Sequence, residues 1–143
     1  YNKPMSQGTE TFFTSIGCMD GRIHNTIEEY GKRKFGAEYP DTITEAGLAG
    51  LLTLEHVDVS LLKSLKKKID ISLSLHKAKG IIVHGHQECA GNPVSDERHR
   101  EDIRRTLAVI ALLTHGAIPV LGVFVRRASI SRNGKKWEVE ELA

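Results

Sequence analysis

Apolar residues along the chain form short runs that alternate with longer stretches in which they recur at every third or fourth position. The short runs predict strands, and the longer stretches predict amphipathic helices. The predicted strands cover 11–17, 41–47, 80–85 and 118–125, and the predicted helices cover 24–36, about 50–79 and 95–116. Because strands alternate with helices, the pattern predicts an α/β fold.

The two longer predicted helices and the end of the chain carry further signals. The apolar stripe of the first helix consists of Leu61, Leu62, Leu65, Ile69, Leu73 and Leu75, which we interpret as packing residues. The second helix has Ser95 as its candidate N-cap and Gly116 at its end. Asn133-Gly134 predicts a C-terminal hairpin with a two-residue turn, and we interpret Trp137 beyond it as a packing anchor.

Length and charge limit the classes of protein that fit. A chain of 143 residues predicts a single domain, 1–143, large enough to bury a core without disulfides. The net charge of +2 gives no reason to expect a nucleic-acid partner, and we interpret the basic run 63–70 as a solvated helix face. No apolar run is long enough to predict a membrane span, and no signal-peptide pattern opens the chain. We expect at least the initiator methionine to precede Tyr1.

The two cysteines each lie just behind a predicted strand. Cys18 follows the first strand, and Cys89 follows the strand that ends near Gly85, with His86 between them. Two cysteines so far apart do not form a disulfide framework, so we expect a reducing compartment, most simply the cytoplasm. If the two strands are neighbours in a parallel sheet, their loops line one crevice and these three residues can meet.

Two thiolates and one imidazole form a ligand set that suits Zn²⁺. Three protein ligands leave the fourth position to water, as in catalytic sites, unless His84, His24 or Asp20 completes the shell. Asp20 can accept a hydrogen bond from a water or hydroxide at the metal, or can itself bind the metal. Arg22 can hold that carboxylate ionised and oriented through a bidentate pair.

Together the two motifs, Cys18-Met19-Asp20-Gly21-Arg22 and Gly85-His86-Gln87-Glu88-Cys89, resemble those of the β-class carbonic anhydrases. The resemblance implies a mainly parallel sheet flanked by helices, with Cys18, His86 and Cys89 as zinc ligands and Asp20 with Arg22 as the catalytic dyad. It implies reversible hydration of carbon dioxide to bicarbonate by zinc-bound hydroxide. It also implies a homodimer or a higher homo-oligomer.

Two positions depart from the family pattern. Glu45-Ala46-Gly47 stands where the family has Asn-Ala-Gly, so an acid replaces the amide while Gly47 is still expected to offer its backbone to the substrate. Ala90 stands where glycine is usual after the second cysteine. The replacement of asparagine by Glu45 keeps two alternatives open: the same zinc site acting on a similar molecule such as COS or CS2, and a zinc-binding module without turnover.

For the other histidines, and for a redox function of the cysteines, the sequence gives less specific evidence. His24 and His84 are candidate proton shuttles, although a structural or solvent-facing position is the commoner use of such histidines. Histidines 56, 76, 99 and 115 fall on predicted helices or at their ends and are given no function. A redox protein using Cys18 and Cys89 is a further alternative, disfavoured because no C-x-x-C motif is present.

Overall fold

A computed structural model describes residues 10–142 and contains one five-stranded sheet. The elements are, in chain order, β1 (Phe12–Gly17), α1 (His24–Phe35), β2 (Tyr39–Thr44), α2 (Leu48–Leu51), α3 (Val59–Ser74), β3 (Ile81–His86), α4 (Asp96–Thr114), β4 (Val120–Arg127) and β5 (Trp137–Leu142). The strand order is β2-β1-β3-β4-β5. The first four strands are parallel, and β5 pairs antiparallel with β4, so the predicted α/β fold is confirmed.

Side chains that alternate along the strands build a core on each face of the sheet. On one face, Ile16 and Val83 belong to the cluster that α3 and α4 cover with Leu65 and Ile103. On the other face, Phe13, Ile82 and Val125 belong to a cluster that α1 covers with Ile23 and Ile27. All six residues of β3 are buried, as expected for a central parallel strand covered on both faces. The residues that follow β1 and β3 are thereby held on a rigid support.

The predicted ends of α1 and α4 are confirmed. Gly36 closes α1 in the left-handed conformation, and the Ser95 side chain accepts a hydrogen bond from the Arg98 amide at the start of α4. At the other end of α4, His115 and Gly116 both have positive φ, so the helix stops where the glycine predicts.

The predicted helix 50–79 is wrong in its extent. The structure has a short α2, then a loop, and α3 begins only after Asp58, whose carboxylate caps the Ser60 and Leu61 amides. Because α3 ends at Ser74, Leu75 lies beyond the helix and is 52% exposed, so it is not part of the core stripe. Ser72 takes a buried position and forms hydrogen bonds with Thr14 and Asp41.

The predicted two-residue hairpin turn is also wrong, although the hairpin itself is present. Arg127 pairs with Trp137, and the loop between β4 and β5 spans 128–136. Gly134 has positive φ, and the Asn133 side chain accepts a hydrogen bond from the Lys135 amide, so the pair forms one turn within a longer loop.

Among residues 10–142, no helix is both long enough and apolar enough to cross a membrane. The interpretation of the run 63–70 as a helix face is consistent with its position on α3, where Lys66 forms an exposed ion pair with Asp70.

Candidate metal centre

The structure brings together the three residues that the sequence singled out as metal ligands. Strands β1 and β3 are parallel neighbours, with Ile16 opposite Val83, so the residues at their carboxyl ends meet at one edge of the sheet. One potential ligand atom from each of Cys18, His86 and Cys89 lies within 4.8 Å of the others, and all three residues are buried. Among the described residues, no other group of three or more His, Cys, Asp or Glu side chains meets this criterion.

His86 is oriented so that one ring nitrogen is free to bind a metal. Its Nδ1 lies 2.6 Å from the Gln87 carbonyl oxygen, which accepts a hydrogen bond from the protonated nitrogen. Nε2 is buried and has no hydrogen-bond partner within residues 10–142. A buried polar atom without a partner is costly. A metal ion bound at Nε2 removes that cost, and the carbonyl at Nδ1 is the usual support for a ligating histidine.

The two thiols are 3.7 Å apart and differ in their acid–base behaviour. Burial raises the pKa of Cys18, but the neighbouring His86 ring and the Gly47 and Asp20 amides outweigh burial and lower it to about 6. Burial and the neighbouring Cys18 raise the pKa of Cys89. One thiolate is therefore available near neutral pH in the metal-free chain, and metal binding must displace the proton of the other thiol.

Gly47 lies against the cluster and contacts it through its backbone. Its N–H donates to the Cys18 Sγ over 3.4 Å. Gly47 has a φ of 62°, and a Cβ there would come within 2.5 Å of the Gly91 carbonyl carbon. Both the conformation and the close approach to the loop after Cys89 therefore require glycine at this position.

Asp20 and Arg22 form the predicted bidentate pair. Arg22 Nη2 lies 2.7 Å from Asp20 Oδ2, and its Nε lies 3.1 Å from Oδ1. The hydrogen bonds from Arg22 lower the pKa of Asp20 to about 2, so this carboxylate is ionised at neutral pH. Asp20 Oδ2 is 3.8 Å from His86 Nε2, which places an acceptor oxygen beside the cluster.

Arg22 is itself held by a group of residues on the other side of its guanidinium. Its Nη2 donates to the Glu88 carbonyl oxygen over 3.1 Å, and its Nη1 lies 3.3 Å from the Glu88 carboxylate. Arg127 binds the same carboxylate over 3.1 Å. The guanidiniums of Arg22 and Arg127 lie 5.3 and 4.0 Å from the centre of the Trp137 ring, so this side chain packs against both cations.

The two candidate proton shuttles lie beside the metal ligands, and His84 lines the same small cavity as Cys18, His86 and Cys89. The His24 Nε2 is 3.0 Å from the Cys18 carbonyl oxygen, and the His84 ring is 1% exposed. Complete burial lowers the pKa of His84 to about 3, which keeps its ring neutral at ordinary pH. Both histidines line a separate small cavity on the α1 side, together with Ser15, Glu28 and Thr42.

The two departures from the motif lie at the surface. Glu45 and Ala90 are both exposed, and neither lines the cavity of about 10 Å³ beside the metal ligands. That cavity is lined instead by the ligands themselves and by residues that include Gly47, Asn92 and His99.

Comparison with known proteins assigns the family. A family model described as "Putative carbonic anhydrase" matches residues 8–143. The chain belongs to this carbonic anhydrase family. No curated protein sequence gives a significant match.

Solved structures of β-carbonic anhydrases have the same fold as this family member. One is the carbonic anhydrase of Streptococcus mutans, with 18% identity, a TM-score of 0.56, and coverage of 100% of this chain and 87% of the other. Another is the β-carbonic anhydrase isoform I of Trichomonas vaginalis, with 13% identity, a TM-score of 0.56, and coverage of 98% and 87%. A structure from Sordaria macrospora has 15% identity and a TM-score of 0.52, with coverage of 94% and 82%.

Sequence reasoning missed several residues of this carbonic anhydrase-like site. Glu88 was not recognised as a partner of Arg22, Arg127 was not recognised as a partner of Glu88, and His99 was given no function. The position of Glu88 inside the G-H-x-x-C motif was a usable signal. No sequence signal placed Arg127 or His99 at the site, because each comes from a distant element that packs there only in the fold.

Proposed function

We propose that this protein catalyses the reversible hydration of carbon dioxide to bicarbonate at a zinc ion held by Cys18, His86 and Cys89. The observation that carries the proposal is the buried cluster of two sulfurs and one free imidazole nitrogen with an ionised carboxylate beside it. This donor set suits zinc, and it leaves one coordination position for a small ligand. Membership of the carbonic anhydrase family supports the same reaction.

Cys18, His86 and Cys89 would hold the zinc ion, whose chemistry there would be to make a water molecule acidic enough to act as the nucleophile. Asp20 keeps an acceptor oxygen beside the cluster because Arg22 holds it ionised. That oxygen accepts a hydrogen bond and fixes the direction in which the reacting oxygen points. The Gly47 amide stabilises the Cys18 thiolate, which keeps that ligand deprotonated. Glu45 is exposed and does not line the cavity beside the metal ligands.

The test combines metal analysis with stopped-flow measurement of carbon dioxide hydration. We expect one zinc per chain in the wild type and in Asp20→Asn, with hydration reduced about a hundredfold in the variant, the scale of a lost acid–base group. Asp70→Asn is the matched control, because Asp70 forms an exposed ion pair with Lys66 on α3 and is no part of the site. Its hydration rate should equal that of the wild type.

Two other outcomes would replace the proposal. Stoichiometric zinc without hydration in the wild type would favour a zinc-binding module without turnover. Turnover of COS or CS2 in a parallel assay, without hydration of carbon dioxide, would assign a similar substrate to the same site.

The assembly proposed with this activity is a homodimer or a higher homo-oligomer. One of the similar structures is described as tetrameric, and this chain exposes several large apolar side chains, among them Val59, Ile71 and Leu112. Light scattering coupled to gel filtration tests the assembly, and a mass of one chain at assay concentration would contradict it.

A further inference from the structure

His99 is a buried histidine whose hydrogen-bonding capacity is not used within the described chain. It lies on α4, is 3% exposed, and stacks on Phe124 with ring centres 5.8 Å apart. Its Nε2 has no hydrogen-bond partner among residues 10–142. An unpaired nitrogen in this position costs free energy unless a molecule other than the chain supplies the partner.

The space beside His99 is the cavity of the candidate metal centre. Its volume is about 10 Å³, and its walls include Cys18, His86, Cys89 and His99. A ligand that enters this space beside a metal ion can be no larger than about a water molecule. Gly47 and Asn92 close the cavity further, and Asn92 is held in place because its amide donates to Asp102 over 3.0 Å.

Three buried histidines line this cavity, and each has one ring nitrogen without a partner among residues 10–142: Nδ1 of His84 and Nε2 of His86 and of His99. His84 also lines the cavity on the α1 side. His86 and His99 differ in what can satisfy them. One ring nitrogen of His86 lies within 4.8 Å of both sulfurs, whereas His99 does not belong to that cluster in the described part of the chain. A metal ion bound at the cluster gives the Nε2 of His86 a partner, but it leaves the Nε2 of His99 without one. The remaining candidate partner is the small ligand in the cavity.

We infer that His99 forms a hydrogen bond through Nε2 with the small oxygen-bearing or anionic ligand that occupies this cavity next to the metal ligands. His99 is then a specificity-determining residue of the site. The site favours ligands that form strong hydrogen bonds over ligands of similar size that form weak hydrogen bonds. This inference rests on the proposed metal site and adds to it a contact from a third element, α4.

The probe is fluoride, a water-sized anion and a strong hydrogen-bond acceptor, compared with chloride, which is a weak acceptor of the same charge. The full-length protein is loaded with Co²⁺ in place of zinc, and each halide is titrated while the visible spectrum of the cobalt is followed. The measured quantity is the ratio of fluoride affinity to chloride affinity. This ratio separates the hydrogen bond from simple charge attraction.

The informative variants are His99→Phe and His99→Gln. Phenylalanine keeps an aromatic ring against Phe124 but has no nitrogen, and we expect it to lower the affinity ratio about tenfold, the effect of one hydrogen bond to a charged group. Glutamine keeps hydrogen-bonding groups and should restore most of the ratio. His56→Phe is the matched control, since His56 is exposed and lies in the loop before α3, and it should leave the ratio unchanged.

Three results would overturn the inference. The first is an unchanged ratio in a fully cobalt-loaded His99→Phe protein. The second is loss of cobalt binding in both His99 variants, which would make His99 a metal ligand. The third is a wild type whose cobalt spectrum does not respond to fluoride. A wild type that shows the expected halide behaviour but no hydration of carbon dioxide would instead contradict the proposed reaction and leave the contact of His99 standing.

Discussion

At the scale of single residues, Cys18 and Cys89 are expected to titrate far apart in the metal-free protein. The neighbouring His86 ring and backbone amides lower the pKa of Cys18 to about 6, while burial and the adjacent Cys18 raise the pKa of Cys89. Since the two sulfurs interact, the observable values belong to the pair. Thiolate absorbance in the ultraviolet should show one proton lost near pH 6 and the second lost at a pH above the usual range for a thiol. Two thiolates that form together near pH 9 would contradict the arrangement.

A comparison of three glycines distinguishes the two reasons why residue 47 must be glycine, which are its positive φ and the lack of space for a Cβ. Gly47 has positive φ and no space for a Cβ, Gly36 has positive φ with open space, and Gly21 has open space without positive φ. We expect substitution by alanine to cost about 3 kcal/mol at Gly47, about 1 kcal/mol at Gly36 and almost nothing at Gly21. Urea unfolding measures the three values, and equal costs at Gly47 and Gly36 would show that the loop after Cys89 yields easily.

The residues of the candidate site were predictable where they lie close together in the sequence. Cys18, Asp20 and Arg22 lie within five positions of one another, and His86 and Cys89 lie within four. Residue type and position behind two strands suggested a metal site, and the resemblance to the β-class carbonic anhydrases implied the dyad. His99 could not be predicted in this way. A histidine on a helix resembles any other until the helix is known to face the metal ligands.

At the scale of elements, the start of β5 and the end of β4 support the loop that carries Glu88. Arg127 and Trp137 are paired across the two strands, and Arg127 binds the Glu88 carboxylate. Glu88 in turn contacts Arg22, which holds Asp20. A C-terminal hairpin predicted from a turn signal therefore has a consequence for the site that the turn signal could not reveal.

Glu88→Gln tests whether this support matters for activity. Loss of the charge weakens the hold on Arg22, so we expect hydration of carbon dioxide to fall severalfold while the zinc content stays at one per chain. The free energy of unfolding should change little, because the Glu88 side chain is 51% exposed. Glu28→Gln, which removes an equally exposed pair with Lys32 on α1, is the control. Equal rates in the two variants would show that Arg22 needs no support from Glu88.

The element that sequence predicted least well is the region of α2 and α3. A continuous apolar stripe over 50–79 cannot distinguish one long helix from two helices and a loop, because both present leucines at the same spacing. The local signal that decides the boundary is Asp58, which caps α3 with its carboxylate. Leu75 was assigned to the core because its spacing fits, yet the helix ends one residue before it.

At the scale of the whole molecule, the alternation of strands and helices predicted the α/β class, and the order of strands follows from neither composition nor periodicity. Strand β3 is inserted between β1 and β4, and this insertion brings Cys18 next to His86. The sequence supported that arrangement only through the requirement that one metal ion be shared by both loops. Chemistry therefore predicted a tertiary contact that hydrophobic patterning left open.

Asp102 connects several parts of the molecule, and its lowered pKa predicts how the free energy of unfolding depends on pH. It is 1% exposed and accepts hydrogen bonds from Arg98 on its own helix, from Asn92 in the loop after Cys89, and from Thr53 after α2. Burial raises the pKa of Asp102, but these hydrogen bonds outweigh burial and lower it below its usual value. Its stabilising contribution is therefore complete above the unfolded pKa of about 3.9 and is lost as the pH falls through the lower folded pKa.

Asp102→Asn should accordingly destabilise the protein by about 2 kcal/mol at pH 7, because Arg98 and Asn92 lose a charged acceptor. The difference between wild type and variant should shrink as the pH is lowered from 5 toward 2, since the wild-type carboxylate then takes up a proton. Urea unfolding at a series of pH values measures both free energies of unfolding. Glu101→Gln is the control, because Glu101 forms an exposed ion pair with Arg105 on the same helix and does not contact Asn92 or Thr53 in the described part of the chain. A difference that stays constant down to pH 2 would mean that Asp102 acts through packing and that its charge contributes nothing to the connection between α4 and the loop beside the metal ligands.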